Sequence, residues 1–140
     1  MELDEITHAV VGASIKIHRD LGPGLLESVY EAVLARALDR QNLRVERQRP
    51  IDFWYDGMCI EHGFRIDLLV EECVIVEVKS VERFAPVHAK QILTYLRLTN
   101  LRVGLLLNFG ASTMKEGLKR VVNDLPPSET SHLRVNQTSI

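Results

Sequence analysis

Two acidic residues and a lysine are spaced so that a folded chain could bring them together. Asp67 lies near the end of one apolar run, and Glu77 and Lys79 lie in the next. A three-residue loop over residues 71–73 places Asp67 directly opposite Glu77 when positions are counted outward from the turn. Lys79 is two residues beyond Glu77 and therefore lies on the same side of its strand. The spacing predicts two carboxylates and one ammonium group on one wall of a β-sheet.

Opposed carboxylates need a cation between them, because like charges directly across a ladder repel. Lys79 is one candidate and a divalent cation is the other, since Mg²⁺ is typically held by one or two carboxylates, waters and substrate phosphate oxygens. Such an ion polarises a phosphoryl group and activates water, and Lys79 would orient that water or stabilise the developing charge. The alternative is a cross-strand ion pair on a solvated face, which contributes little to stability.

The neighbours of this trio predict its place in the sheet. Alternation assigns to one face, expected to be the core, Phe64, Ile66, Leu68, Val70, Val74, Val76 and Val78. It assigns to the other face Arg65, Asp67, Leu69, Ile75, Glu77 and Lys79. Because apolar residues surround the charges, both strands are expected to be central, and charges in central strands favour a functional role.

The elements around these strands follow from hydrophobic periodicity. Apolar residues between Ile6 and Leu21 recur every three or four positions and predict a helix, which Gly22-Pro23-Gly24 ends. A second helix is expected from about Leu25 to Gln41. Its apolar stripe comprises Leu26, Val29, Val33 and Ala37, with Tyr30, Leu34 and Leu38 beside it.

Alternation with period two begins at Leu43, and Pro50 is expected to separate two short strands. Asp56-Gly57 predicts a two-residue hairpin turn. Further elements are expected as strands over 58–70, 74–80 and 102–109, a helix over 87–98, and a strand or mixed piece over 114–122. The helix between the second and third of these strands predicts that they are parallel.

Composition limits the class of protein. The 140 residues suit one domain, expected over residues 1–125 with a flexible tail over 126–140. Seventeen basic residues against nineteen acidic ones exclude a strongly basic nucleic-acid binder, so any phosphate contact must come from a local patch. No apolar run approaches the length of a membrane span. Two cysteines, Cys59 and Cys73, and an N-terminus unlike a signal peptide predict a reducing, cytoplasmic location.

Combined, these motifs resemble a known superfamily. Asp67 followed by Glu77-Val78-Lys79, in the order helix–strand–strand–strand–helix–strand, resembles the PD-(D/E)XK nuclease core of restriction enzymes and RecB-type exonuclease domains. Ile66 stands where the motif has proline, a substitution common in the RecB-type branch, whose Gln-x-x-x-Tyr motif resembles Gln91 to Tyr95. The segment from Gly24 through Glu27 to Tyr30 resembles the GxxExxY protein family. The resemblance implies an α/β fold with a mixed central sheet flanked by helices.

The resemblance also implies roles for individual residues. Glu27, Asp67 and Glu77 would hold Mg²⁺, with Mn²⁺ as a substitute, Lys79 would assist the water, and Gln91 would position Lys79 or a phosphate. Supporting positions near the site would be occupied by Tyr30, Glu31, His88 and Tyr95. From the residues alone, a solvated helix edge explains Glu31 equally well, and a helix–sheet hydrogen bond explains Gln91 and Tyr95.

Three functions compete at this point. The first is a divalent-metal-dependent nuclease that hydrolyses DNA phosphodiester bonds, and a homodimer spanning a duplex is compatible with it. The second is a non-catalytic nuclease-like module that binds nucleic acid or a protein partner. The third is a purely structural cluster of ion pairs.

Overall fold

The fold is known from a computed structural model that describes residues 1–124 and, for the backbone only, residues 133–135. In chain order its elements are α1 Leu3–Leu21, α2 Glu27–Asp39, β1 Val45–Tyr55, β2 Met58–Val70, β3 Val74–Lys79, α3 Pro86–Thr99, β4 Val103–Asn108, α4 Met114–Gly117, β5 Leu118–Val122 and β6 Leu133–Val135.

The strands form one six-stranded sheet in the order β5-β4-β3-β2-β1-β6. β3 and β4 are parallel and α3 connects them, as the sequence predicts, whereas the other neighbouring pairs are antiparallel. Every residue of β4 is buried, because the strand lies between β3 and β5 and its two faces pack in separate hydrophobic clusters. The predicted mixed sheet flanked by helices is therefore confirmed.

Helices cover both faces of this sheet. On one face α1 and α2 pack against β2, β3 and β4, in a cluster that includes Ile6, Val10, Leu34, Leu68, Val76 and Leu105. On the other face α3 packs against the same strands, in a cluster that includes Ile92, Leu96, Leu69, Ile75 and Leu106. Burial on both sides explains why these strands are apolar almost throughout.

Both hairpin turns have the predicted positions. Asp56 and Gly57 have φ of 50° and 76°, the left-handed pair that this short turn requires. The β2–β3 loop has Glu71 and Glu72 in the same region, at 53° and 56°. Beyond it the register runs Val70 to Val74, Leu69 to Ile75 and Leu68 to Val76, as the sequence count predicts.

The predicted sorting of β2 side chains by face is wrong at its first two positions. Phe64 and Ile66 pack with the α3 cluster, whereas Leu68 packs with the α1–α2 cluster. The change of face occurs at Asp67 of β2, which lies opposite Gln48 of β1, and Gln48 has φ of 50°. A left-handed residue rotates its own strand beyond that point, and the paired strand β2 turns with it, so the simple alternation stops there.

The expectation that Pro50 separates two strands is also wrong, because β1 runs unbroken from Val45 to Tyr55. Pro50 pairs with Arg65 of β2. On the other side of β1, β6 reaches only Phe53 to Tyr55. Within the residues that the structure describes, Pro50 thus lies on an open edge, where a missing N–H removes no ladder bond.

The apolar stripe predicted for the second helix is on its exposed side. Leu26, Val29 and Val33 are 74%, 39% and 37% exposed, while Tyr30 and Leu34 are fully buried. The helix turns this way because the Tyr30 ring stacks on Phe109, with ring centroids 4.4 Å apart. Stacking and burial of the large aromatic ring outweigh the burial of two valines.

Residues 114–122 form the mixed piece that the sequence predicts, with α4 followed by the edge strand β5. No helix in the described residues is long and apolar enough to cross a membrane. The predicted domain end at residue 125 and the predicted flexibility of 126–140 lie outside the described residues. Residues 133–135 alone are placed there, and their backbone pairs with β1.

Candidate active site

β2 and β3 separate where their acidic residues stand. Regular pairing ends at Leu68 and Val76. One step further, the Asp67 N–H donates to the Glu77 carboxylate over 2.8 Å, and the Val78 N–H donates to the Asp67 carboxylate over 2.9 Å. The two side chains thereby replace the hydrogen bonds of the ladder. The structure brings both carboxylates together between the strands.

This pair is electrostatically strained. Glu77 is 4% exposed, and burial, followed by the charge of Asp67, raises the pKa of its carboxyl to about 8. Burial also raises the pKa of Asp67. Lys79 opposes both shifts through its positive charge, so it lies close enough to act on both acids. The site disfavours two bare negative charges and would be stabilised by a cation.

Glu31 is connected to the site by Gln48, a residue that the sequence does not single out. It is 5% exposed and accepts hydrogen bonds from Arg47 at 3.0 Å and from the Gln48 amide at 2.5 Å. The same Gln48 nitrogen donates to Asp67 over 3.3 Å. Glu31 is therefore not on a solvated helix edge. Its charge further raises the pKa of both Asp67 and Glu77.

Glu27 lies beside the end of β3 rather than in the carboxylate pair. Its carboxylate accepts a hydrogen bond from the Ser80 N–H over 3.1 Å, and the Ser80 hydroxyl donates to the Leu25 carbonyl over 2.8 Å. Among the described residues, no three His, Cys, Asp or Glu side chains are grouped as a metal site. Glu27 thus fixes the start of α2 next to Lys79.

Tyr30 holds the loop that leads into α2. Its buried hydroxyl donates to the Gly22 carbonyl over 2.6 Å and accepts from the Leu25 N–H over 3.1 Å. These two bonds close the loop around the tyrosine. Tyr30 therefore positions the segment carrying Glu27 and does not itself reach the carboxylate pair by any of these bonds.

From the other face of the sheet, α3 brings Tyr95 toward the acids. Burial raises the pKa of its phenol, and the charges of Glu77 and Asp67 raise it further. Tyr95 also hydrogen-bonds with Gln91 and stacks on Phe64 at 4.2 Å. The exposed Gln91 side chain thus interacts with a neighbour one helical turn away.

His88 serves the start of α3. Its Nδ1 accepts a hydrogen bond from the Ala85 N–H over 3.2 Å, which satisfies one of the free N–H groups at the helix terminus. The ring also lies edge-on to Phe84 at 6.2 Å. These contacts give His88 a capping role at the start of α3.

A family model described as the PD-(D/E)XK nuclease superfamily matches residues 4–121. The chain belongs to the PD-(D/E)XK nuclease superfamily. Neither the curated proteins nor the solved structures yield a match. The matched range runs from the first turn of α1 into β5 and contains every residue of the candidate site.

Proposed function

We propose that the protein hydrolyses DNA phosphodiester bonds with the help of a divalent metal ion, Mg²⁺ or its substitute Mn²⁺. The observation that carries the proposal is the paired carboxylates of Asp67 and Glu77, held in the gap between two central strands with Lys79 beside them. Membership of a nuclease superfamily supports it.

The donor set suits Mg²⁺. This ion takes oxygen ligands and is commonly bound by one or two carboxylates, with water and substrate phosphate completing the shell. Asp67 and Glu77 supply those carboxylates, and burial first and neighbouring carboxylates second raise the pKa of both, so a cation would stabilise their charged forms. When bound, the ion would polarise the phosphoryl group and lower the pKa of a water molecule. Glu27, at Ser80, lies at the edge of this arrangement.

The remaining residues orient the reactants. Lys79 is half-buried and its charge lowers the pKa of both carboxyls, so its ammonium group can hold the attacking water or the phosphate oxygen that gains charge. The Gln48 amide donates to both Asp67 and Glu31 and so links Asp67 to Glu31. Gln91, exposed on α3, is positioned to bind a backbone phosphate of the nucleic acid.

The test is cleavage of single- and double-stranded DNA oligonucleotides in Mg²⁺ or Mn²⁺. Replacing Lys79 by alanine should lower the rate on the order of a thousandfold, because the charge that develops at the phosphate loses its partner. Lys119→Ala on the edge strand β5 is the matched control and should cleave at the wild-type rate. Absence of metal-dependent cleavage by the wild type, or equal cleavage by Lys79→Ala, would overturn the proposal.

One observation favours a second candidate, a nuclease-like module that binds nucleic acid or a protein without cleaving. Each carboxylate of the pair already accepts a backbone hydrogen bond, so neither lacks a partner when no ion is bound. Calorimetry with Mn²⁺ separates the two. Binding that is lost in Glu77→Gln supports the nuclease, whereas no binding supports the module.

We also infer membership of the GxxExxY family within the RecB-type branch. The GxxExxY assignment is supported by the loop and helix start that contain Gly24, Glu27 and Tyr30. The RecB-type assignment is supported by the interaction between Gln91 and Tyr95. A homodimer and a cytoplasmic location stay predictions. Sedimentation of the purified chain and imaging of a tagged copy in its own cell would check them.

A further inference from the structure

A cavity of about 500 Å³ opens beside the loop that carries Gly22 and Pro23. It lies between the end of α1 and the segment after β4, and its apolar wall is formed by Ile15, Pro23 and Met114. The volume falls within the range of small-ligand sites, about 300–1,000 Å³. None of these residues belongs to the carboxylate site.

The rim of this cavity is positively charged. Arg19 and Lys115 line it, both exposed, together with the hydroxyl residue Ser112. No acidic side chain lines the cavity, and neither cation forms an ion pair within the described part of the chain. Each cation has an acidic neighbour in sequence: Asp20 beside Arg19, which Lys16 binds at 2.6 Å, and Glu116 beside Lys115. An apolar wall beside two unpaired cations suits a ligand with one flat apolar part and one anionic part.

The cavity is physically joined to the candidate active site. Gly22 lines the cavity and accepts the Tyr30 hydroxyl bond, while Leu25 at the other end of the same loop accepts the Ser80 hydroxyl bond. Ser80 directly follows Lys79. On the opposite wall, Nε2 of the buried His18 donates to the Ala111 carbonyl over 2.7 Å and holds the segment after β4 against α1.

We propose that this cavity takes one unpaired nucleotide of a single-stranded nucleic acid whose backbone passes Lys79. The base lies on the exposed side chains of Ile15 and Pro23, and Arg19 and Lys115 bind the phosphate. A base within a duplex has its faces covered by neighbours and cannot enter, so the substrate class is single-stranded. This inference rests on the proposed function, since it extends the substrate beyond the phosphate to be cleaved.

The test follows amide NMR shifts during titration with thymidine 5′-monophosphate in EDTA, with thymidine and inorganic phosphate as separate arms. The nucleotide should shift the signals of Gly22, Ser112 and Lys115 and bind more tightly than either part. Arg19→Gln and Lys115→Gln should each weaken it about fivefold, because a charge-assisted hydrogen bond is lost. Arg102→Gln, at the opposite end of β4, is the matched control and should bind as wild type.

The inference would be overturned by no binding at about 10 mM nucleotide, a concentration far above the dissociation constants of functional sites, by shifts centred on Asp67 and Glu77, or by wild-type affinity in both charge variants. Equal binding of phosphate alone would reduce the site to an anion patch and would equally contradict it. Repeating the titration with Glu77→Gln separates this inference from the proposed function. The Glu77→Gln variant should still bind the nucleotide although it no longer cleaves DNA. A wild type that binds the nucleotide without cleaving DNA would contradict the nuclease proposal alone.

Discussion

The two ends of the β2–β3 hairpin use the same strands for opposite purposes. Near the turn, Leu68 to Val70 pair regularly with Val74 to Val76, and all six residues are buried between helices. At the open end, Asp67 and Glu77 interrupt the ladder and hold the strands apart with their carboxylates. The turn end contributes stability, whereas the open end costs stability and carries the two carboxylates of the proposed metal site.

This contrast explains how a small domain tolerates buried acids. A buried, closely spaced carboxylate pair is unfavourable by itself, as the raised pKa of Glu77 indicates. The apolar ladder next to it, covered on both faces, holds the two strands in register and so fixes the acids where they repel. The two regions should therefore respond in opposite directions to substitution.

The largest expected effect on stability is at the turn end. Leu68→Ala removes a fully buried side chain from the α1–α2 cluster and should lower the free energy of unfolding by about 3 kcal/mol. Urea denaturation followed by circular dichroism measures it. The neighbouring Asp67→Asn, which keeps a side-chain acceptor, should show no such loss, and a loss equal to that of Leu68→Ala would break the contrast between the two ends.

The next effect concerns pH. The folded chain keeps Glu77 protonated up to a pKa of about 8, while the unfolded chain releases the proton near 4.5. Within this window the folded state binds more protons, so the stability contributed by protonated Glu77 is present below the lower pKa and is lost as pH rises. Without metal, the free energy of unfolding should fall by on the order of 2 kcal/mol from about pH 5 to about pH 8.

Denaturation series at several pH values in EDTA measure this decline. Glu77→Gln keeps an acceptor for the Asp67 N–H but cannot titrate, so its decline should be smaller and its stability at pH 8 higher than that of the wild type. Adding Mg²⁺ at pH 8 should stabilise the wild type and leave Glu77→Gln unchanged. A wild type more stable at pH 8 than at pH 5 without metal would contradict the electrostatic picture.

The smallest effect is at Gln48. Gln48→Ala removes the amide that joins Glu31 to Asp67 and should weaken Mn²⁺ binding about tenfold, as loss of an outer hydrogen bond to a ligand does. Stability should change by less than about 1 kcal/mol, because the side chain is exposed. Calorimetry compares it with Gln41→Ala, an exposed glutamine after α2. Equal affinities of the two variants would remove Gln48 from the site.

The sequence predicted the central hairpin well because short-range rules govern it. The loop over residues 71–73 sets the register of Leu68 with Val76, and the helix between β3 and β4 makes them parallel. The same rules miss Gln48. Counting back from the Asp56-Gly57 turn pairs it with Arg65, but a register shift between Ile51 and Phe53 puts it opposite Asp67 instead.

Residues that depend on tertiary packing were harder to foresee. The helical period groups Leu26 with Val29 and Val33 as one apolar face, yet Phe109, eighty residues from Val29, draws Tyr30 inward and rotates that face toward solvent. Glu31 becomes buried by the same rotation and finds Arg47 and Gln48. Periodicity identifies such a helix but not which of two adjacent stripes the rest of the chain will cover.

The most direct test of the central claim is diffraction from crystals soaked in Mn²⁺, with data collected for the metal's anomalous signal. We predict one peak bound by a carboxylate oxygen of Asp67 and one of Glu77, each at about 2.2 Å, the range for small divalent ions and oxygen ligands. Crystals of Glu77→Gln should lack that peak. An ion bound elsewhere, or an undisturbed Asp67–Glu77 pair in millimolar Mn²⁺, would contradict the claim that these two acids form a metal site.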